Sequence, residues 1–215
     1  MRDVKGRSPE TPADVQAVHV VDDDAGMRTA LDSLFRSVGY ETRTYASPAE
    51  FMASGRTHAA GCLILDVRLP GTSGLDFQSQ LAEAGVTMPI VLMTAHGDIP
   101  MTVRGMKAGA VDFLPKPFRE QDMLDAVASA LVRDADLRAA RTQSDSLRAR
   151  LGTLSQREGQ VMVRVAAGKM NKQIAFELGL KEITVKIHRS NAMRKMGART
   201  LADFVKMAEH LKLEG

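Results

Sequence analysis

Carboxylates, one hydroxyl and one ammonium group follow four short apolar segments of the chain. They are Asp22, Asp23 and Asp24 after the first segment, Asp66 after the third, Thr94 at the end of the fourth and Lys116 after the fifth. Clustered carboxylates repel one another unless a cation sits among them. The single cysteine, Cys62, excludes a cysteine-based metal site. Oxygen ligands of this kind favour Mg²⁺, which retains waters and also binds phosphate.

These groups are suited to the transfer of a phosphoryl group to a carboxylate. An anionic nucleophile must approach an electron-poor phosphorus, so Mg²⁺ and the Lys116 ammonium would neutralise the transferring oxygens. A carboxylate can be that nucleophile and form an aspartyl phosphate. Asp66 is the candidate because it stands singly after the central segment. An Asp after a strand is more often a turn or capping residue, and Asp24 is interpreted in that way.

Five apolar segments that alternate with helical patterns must position these groups. The segments are Ala17–Val21, Glu41–Tyr45, Gly61–Leu65, Pro89–Thr94 and Val111–Leu114, with helical patterns near 25–38, 48–54, 74–84 and 100–108 and from about 120. This alternation predicts an α/β domain, a doubly wound five-stranded parallel sheet with helices on both faces. Ligands of such sheets bind beyond the C-terminal ends of the strands, which is where the polar groups fall.

Four stretches of this region resemble the response-regulator receiver domain of two-component signalling. They are VVDDD at 20–24, LILDVRLPGTSGLD at 63–76, TAHGDIP at 94–100 and MKAGAVDFLPKPF at 106–118. The run from His96 to Phe118 is similar to the FixJ-like branch in particular. The resemblance implies a flavodoxin-like fold and a sensor histidine kinase as phosphoryl donor.

The resemblance also implies a role for each polar position. The Mg²⁺ ligands would be Asp22, Asp23, Asp66 and the backbone carbonyl of Arg68. Thr94 would hydrogen-bond the phosphoryl group on Asp66, and Lys116 would pair with it beside a cis bond to Pro117. Phe113 matches the aromatic switch position that moves inward after phosphorylation. The chain would not be an enzyme beyond Mg²⁺-dependent self-phosphorylation and autodephosphorylation.

The C-terminal third of the chain is basic, whereas the part before it is acidic. Residues 1–130 hold 12 Lys and Arg against 17 Asp and Glu, and residues 152–215 hold 12 against 6. This asymmetry predicts that the last third meets a polyanion. The same third has a helical pattern throughout, and two helices meet at a tight turn around Gly179, which is typical of a helix-turn-helix.

Residues 154–213 resemble a LuxR-type helix-turn-helix domain. The matching stretches are LSQRE at 154–158, AAGKMNKQIA at 166–175, LGL at 178–180 and TVKIH at 184–188. The helical period places a basic, partly apolar outer face opposite Val185, His188, Ala192 and Met196, which fits a helix entering the major groove. The candidate DNA-binding residues are Asn171, Lys172, Thr184, Lys186, Ile187, Arg189 and Ser190. Lys186 is expected to contact a base edge, while Asn171 and Lys172 are expected to contact phosphate.

Together the two resemblances cover nearly the whole chain and are typical of the NarL/FixJ arrangement. The predicted organisation is a disordered arm at 1–16, a receiver at 17–130, a helical linker at 131–153 and the DNA-binding domain at 154–215. A heptad-like seam fits a spacer helix better than a weak coiled coil, and it consists of Leu137, Ala140, Ser144, Leu147, Leu151 and Leu154. We expect a cytoplasmic protein without a membrane span that dimerises when phosphorylated, binds double-stranded promoter DNA and recruits RNA polymerase.

Two other functions stay open at this point. The chain could be a phosphoryl sink or partner-binding receiver whose C-terminal domain no longer reads DNA, but Lys186 and Arg189 argue against this. It could instead be a DNA-binding protein that is independent of phosphorylation. The complete set of receiver residues argues against the second alternative.

Overall fold

The computed structural model describes residues 16–95 and 98–213. The chain divides into two compact units, residues 1–137 and 138–215. The arm predicted at 1–16 lies outside the described residues except for Gln16. Within those ranges, no helix combines the length and apolar character that crossing a membrane requires.

A parallel sheet flanked by helices forms the first unit. Its strands are β1 Ala17–Val21, β2 Glu41–Tyr45, β3 Gly61–Asp66, β4 Ile90–Thr94 and β5 Asp112–Pro115, and its helices are α1 Ala25–Ser37, α2 Pro48–Ala53, α3 Gly74–Glu83, α4 Ile99–Lys107 and the first part of α5 Glu120–Gly152. The strand order is β2-β1-β3-β4-β5, and all pairs are parallel. The predicted α/β fold class is therefore confirmed, and the predicted limits of the strands agree to within one residue.

Short polar side chains begin the helices that follow the strands. The Asp24 carboxylate accepts hydrogen bonds from the N–H groups of Gly26 and Met27, and Ser73 and Asp98 cap α3 and α4 in the same way. Such caps satisfy N–H groups that have no partner within the helix. The interpretation of Asp24 as a helix cap is confirmed, which separates it from the neighbouring Asp22 and Asp23.

The core of this unit lies on both faces of the sheet. Every residue of β1, β3 and β4 is buried, as expected for central strands covered on both sides. One face packs against α1 and α5 through residues such as Phe35 and Met123. The other face packs against α2 and α3 through residues such as Phe51 and Leu81.

The start of β3 is fixed by a close approach of two backbones and by a buried carboxylate. Gly61 has φ +139°, and a Cβ there would lie 1.9 Å from the carbonyl oxygen of Ala17, so only glycine fits. Its N–H donates to the carboxylate of Asp134 on α5 at 2.8 Å. Asp134 is 2% exposed. This contact joins α5 to the strand that ends in Asp66.

The described part of the second unit, residues 138–213, consists of helices and the turns between them. The helices are the last part of α5, then α6 Gln156–Ala166, α7 Asn171–Leu178, α8 Glu182–Met196 and α9 Leu201–His210. Its core includes Met162, Ile174, Val185 and Phe204. Ser155 forms a capping box at the start of α6, and Gly179 ends α7 in the left-handed region.

The end of α5 packs within this second unit. Leu147 is only 7% exposed and belongs to the same core as α6 and α8, and Leu151 and Leu154 pack against it. These leucines were expected to form part of the linker seam. In the structure they fill the core beside α8 instead.

Candidate phosphorylation and DNA-binding sites

Three carboxylates meet at the C-terminal edge of the sheet. Residues Val21 and Leu65 are register partners in β1 and β3, so Asp22 and Asp66 leave neighbouring strands side by side. One carboxylate oxygen from each of Asp22, Asp23 and Asp66 lies within 4.8 Å of the others. Asp22 and Asp66 are buried, whereas Asp23 is exposed. The structure thus brings together the three carboxylates that the sequence singled out.

The ammonium group of Lys116 bridges two of these carboxylates. Its Nζ donates to Oδ2 of Asp22 at 2.8 Å and to Oδ2 of Asp66 at 2.7 Å. Burial raises the pKa of the Asp22 carboxyl, although the hydrogen bond from Lys116 opposes this effect. Burial would lower the pKa of Lys116, but its bonds to Asp22 and Asp66 outweigh burial and raise that pKa. Lys116 therefore carries its charge at the site.

Backbone and arginine donors hold the acidic loops in place. The N–H of Arg68 donates to Oδ1 of Asp66 at 3.0 Å, and the N–H of Asp24 donates to Oδ1 of Asp22 at 2.8 Å. Arg28 of α1 donates to the backbone carbonyls of Asp22 at 2.7 Å and of Asp23 at 3.0 Å. The role of Arg28 was not predicted, because no spacing rule distinguishes it from other charged residues on an exposed helix.

Thr94 lies on β4, next to the strand that ends in Asp66, and Phe113 lies on β5, one strand further out. Thr94 ends β4 and is buried, and its backbone carbonyl accepts from the N–H of Lys116 at 2.7 Å. The Lys116–Pro117 bond is cis, as expected. Phe113 on β5 is half-buried and packs against the core on the α3 side of the sheet.

The acidic cluster has the donor set of a site for a hard divalent cation. Its ligand atoms are carboxylate oxygens, and Asp23 opens it to solvent beside a groove formed by the loop from Val67 to Ser73 and by Met101. Mg²⁺ prefers oxygen ligands and keeps several waters, which suits a cluster that is open on one side. The residues present fit this ion, and Arg68 lies at the groove as the prediction of its carbonyl as a ligand requires.

In the second unit, α8 presents a polar and basic outer face. Val185, Ala192 and Met196 are buried, and His188 is half-buried, so the predicted inner face is confirmed. The exposed residues of the opposite side are Ile183, Lys186, Ile187, Ser190 and Arg194. Thr184 is half-buried in the first turn. A helix with this outer face suits the major groove of DNA.

A groove runs between the start of α7 and the middle of α8. Its walls are Asn171, Lys186, Arg189, Ser190, Met193, Arg194 and Ala198. Arg189 donates to the side-chain oxygen of Asn171 at 3.3 Å, which joins two of the predicted DNA-binding residues. Lys172 is exposed in the first turn of α7, where free backbone N–H groups also favour an anion. Met193 and Ala198 were not predicted to line this groove.

Polar contacts hold the C-terminal end of α8. The guanidinium of Arg150 on α5 donates to the carbonyl of Met196 at 2.9 Å. Lys195 donates to the buried carboxylate of Glu158 at 2.6 Å and to the carbonyl of Thr153 at 3.1 Å. The start of α8 is less firmly fixed, because Lys181 makes no side-chain cap bond. Sequence periodicity does not reveal these contacts, since they join residues far apart in the chain.

Both units match models of known protein families. Residues 18–128 match the response regulator receiver domain, and residues 152–208 match the bacterial regulatory proteins of the luxR family. The chain belongs to the response regulators that combine a receiver with a LuxR-type DNA-binding domain, which are phosphorylation-dependent regulators of transcription.

Known proteins match this chain over nearly its whole length, so the similarity includes both units. Nodulation protein W of Bradyrhizobium diazoefficiens is 53% identical over 97% of this chain and 92% of its own length. Response regulator protein TmoT of Ectopseudomonas mendocina is 46% identical over 91% of this chain and 89% of its own length. The solved structure of response regulator StyR is 49% identical with a TM-score of 0.80, covering 90% of this chain and 98% of its own.

Proposed function

We propose that this response regulator accepts a phosphoryl group on Asp66 from a sensor histidine kinase and then binds promoter DNA as a dimer. The observation that carries the proposal is the placement of Asp66 in a cluster of three carboxylates whose excess charge Lys116 partly offsets. A nucleophilic carboxylate, a fixed cation and a site for a divalent metal are what phosphoryl transfer to aspartate needs. No such combination occurs elsewhere in residues 16–95 and 98–213.

The chemistry is a displacement at phosphorus. An oxygen of Asp66 forms the new O–P bond while the N–P bond of the kinase phosphohistidine breaks, and the imidazole leaves with the electron pair. Asp22, Asp23, Asp66 and the carbonyl of Arg68 would hold Mg²⁺, which neutralises phosphoryl oxygens when it is bound. Lys116 exchanges its bond to Asp66 for one to a phosphoryl oxygen, and Thr94 donates its hydroxyl to another. Small-molecule donors and autodephosphorylation use the same groups.

The phosphoryl group on Asp66 carries a charge of about −1.5 to −2 in place of the carboxylate's own −1, and its effect reaches α4 and β5 through the residues that respond to it. Lys116 follows β5, and Thr94 ends β4, so the phosphoryl group acts on both strands through these two residues. An exposed apolar stripe on α4 consists of Ile99, Val103 and Met106. We assign the dimer contact of the phosphorylated protein to this stripe, because its spacing places all three side chains on one face of the helix.

Dimerisation lets two DNA-binding units bind the two halves of a symmetric DNA site. A two-fold dimer presents two copies of α8 to a two-fold site, which multiplies the affinity of each single domain. Lys186, Ile187 and Ser190 face base edges, whereas Asn171, Lys172 and Arg189 contact phosphates. Thr184 lies at the start of the same helix. The bound dimer then recruits RNA polymerase. A phosphoryl sink would not need the exposed basic face of α8.

Phosphorylation of Asp66 is tested by intact-mass measurement after incubation with acetyl phosphate and Mg²⁺. We expect one phosphoryl group on the wild type and none on Asp66→Asn. The matched control is Asp76→Asn, which changes an exposed carboxylate outside the cluster. A chelator of divalent ions should abolish the reaction of the wild type. Equal phosphorylation of wild type and Asp66→Asn would contradict the assignment.

A further inference from the structure

Helix α4 is held on its inner side by a buried glutamine of α3. Gln78 is 2% exposed, and its Nε2 donates to the backbone carbonyl of Gly105 at 3.2 Å. The same carbonyl accepts from the N–H of Ala110 at 3.2 Å, so both of its lone pairs are used. Gln78 therefore joins the last turn of α4 to α3.

Gly105 is also the point at which α4 rests on the sheet. A Cβ at this position would lie 2.5 Å from Cδ1 of Leu92 and 3.6 Å from Cδ2 of Phe113. The helix backbone therefore sits directly against the side chain of Leu92 on β4, close to the ring of Phe113 on β5. Phe113 is the predicted switch residue. A movement of its ring would therefore act on α4 at Gly105, the residue to which Gln78 is hydrogen-bonded.

The face of α4 opposite this contact carries the proposed dimer stripe. Ile99, Val103 and Met106 share one side of the helix at 3.6 residues per turn, and Gly105 lies about a third of a turn or more from each of them. Gly105 is buried, whereas all three stripe residues are exposed. A shift of α4 at Gly105 therefore changes the surface that the stripe offers to a second copy of the chain.

Packing alone does not explain why position 78 is a glutamine and not an apolar residue. Its Oε1 is buried without a hydrogen-bond partner among the described residues. Burying an unpartnered amide oxygen is unfavourable, whereas an unbranched apolar side chain would fill the same volume without that loss. What Gln78 adds over such a side chain is the bond to Gly105.

We propose that Gln78 is a positioning residue whose bond to Gly105 holds α4 in the arrangement of the unphosphorylated receiver. In this way it sets how strongly phosphorylation of Asp66 promotes dimerisation through the α4 stripe. This inference rests on the proposed function. The bond favours the unphosphorylated arrangement, so its removal should ease dimerisation without the phosphoryl group and leave the phosphorylated dimer nearly unchanged.

The test compares Gln78→Met with the wild type by sedimentation velocity, with and without acetyl phosphate and Mg²⁺. Loss of one neutral hydrogen bond per protomer should tighten the dimer dissociation constant of the unphosphorylated protein about fivefold or more. The ratio of dissociation constants without and with phosphorylation should fall by the same factor. Gln80→Met is the matched control, because Gln80 lies on the same helix but is exposed. It should leave the ratio at the wild-type value.

Further measurements separate positioning from simple stabilisation. The lifetime of the aspartyl phosphate in Gln78→Met should equal that of the wild type, because Gln78 is not part of the acidic cluster. A lower melting temperature with an unchanged ratio would overturn the inference and leave Gln78 a structural residue. Gln78→Leu also removes the donor without burying an ionisable group, and it should give the same direction if Gln78→Met does not fold. A wild type that does not dimerise on phosphorylation would instead refute the dimer step of the proposed function, and this inference with it.

Discussion

Lys116 bridges two carboxylates of the acidic cluster, and it is the residue whose contacts we propose to change on phosphorylation. Its ammonium contacts Asp22 and Asp66 at similar distances and so offsets part of the charge of three neighbouring carboxylates. A phosphoryl group on Asp66 adds oxygens that compete for the same ammonium. The side chain that stabilises the resting cluster is therefore also the one whose bonds must rearrange.

Two lysines of the second unit should affect DNA binding in different ways. Replacing Lys186, which lies on the outer face of α8, should cost about 1–3 kcal/mol and relax preference at one base position. Replacing Lys172, which lies at the start of α7, should weaken binding to all sequences alike and lower the salt slope by about 1.

The measurement is fluorescence anisotropy of Lys186→Met and Lys172→Met with specific and scrambled duplexes at several salt concentrations. Methionine keeps the length of the side chain in both variants and removes only the charge, so each variant serves as the control for the other. An equal loss of affinity on both duplexes for Lys186→Met would show that this residue contacts phosphate and not a base.

At the residue scale, the polar residues next to strand ends could be predicted from the sequence. Residues whose contacts join distant parts of the chain could not. Asp22, Asp66 and Lys116 could be found because parallel strands bring their C-terminal ends to one edge. Gln78, in contrast, is a polar residue within an amphipathic helix. Its bond to Gly105 depends on how two helices pack, and no local pattern encodes that.

At the scale of elements, strands and helices of the receiver were predicted to within one residue, because buried parallel strands give short apolar runs and Asp, Ser and Pro mark helix starts. Helix α9 spans Leu201–His210, and its Thr200 capping box makes its start easier to predict than its end. Helix ends fray and lack a sharp signal where no glycine or proline follows directly.

The hydrophobic periodicity of the long helix α5 does not determine how the helix packs. Its seam of leucines was interpreted as a spacer helix, but a coiled coil and a packed helix end use the same 3-4 spacing. The structure places Leu147 in the core of the second unit, whereas Leu137 is 42% exposed. Only the tertiary packing distinguishes these two leucines.

Truncation of Leu147 should therefore destabilise the second unit. Leu147→Ala should lower the free energy of unfolding of that unit by about 2–5 kcal/mol, as for other buried leucines. Leu137→Ala is the matched control and should cost less, since Leu137 is 42% exposed. Helical circular dichroism during urea unfolding reports on the whole chain.

Tyrosine fluorescence assigns the transition to a unit. The chain has two tyrosines and no tryptophan, and both Tyr40 and Tyr45 lie within residues 1–137. The tyrosine transition should stay in place in Leu147→Ala while the helical signal shifts. A shift of the tyrosine transition, or equal effects of both leucine variants, would show that Leu147 is not part of the second core.

At the scale of the whole molecule, the two parts of the chain differ in net charge as well as in function. The first 130 residues carry more acidic than basic groups, and the last 64 carry twice as many basic as acidic groups. Only the second unit therefore attracts the phosphate backbone of DNA, and this attraction does not depend on sequence. Phosphorylation makes the acidic unit more acidic, which does not add to the direct attraction of DNA, and this agrees with the proposed control through dimerisation.

The most direct test of the central claim is selection from a randomised DNA pool by the wild type and by Asp66→Asn, each with Mg²⁺, with and without acetyl phosphate. A dimer whose formation depends on phosphorylation should enrich a two-fold symmetric sequence only in the wild type treated with the donor. Equal enrichment of the same sequence in all four samples would contradict the claim, because the chain would then bind DNA without control by Asp66.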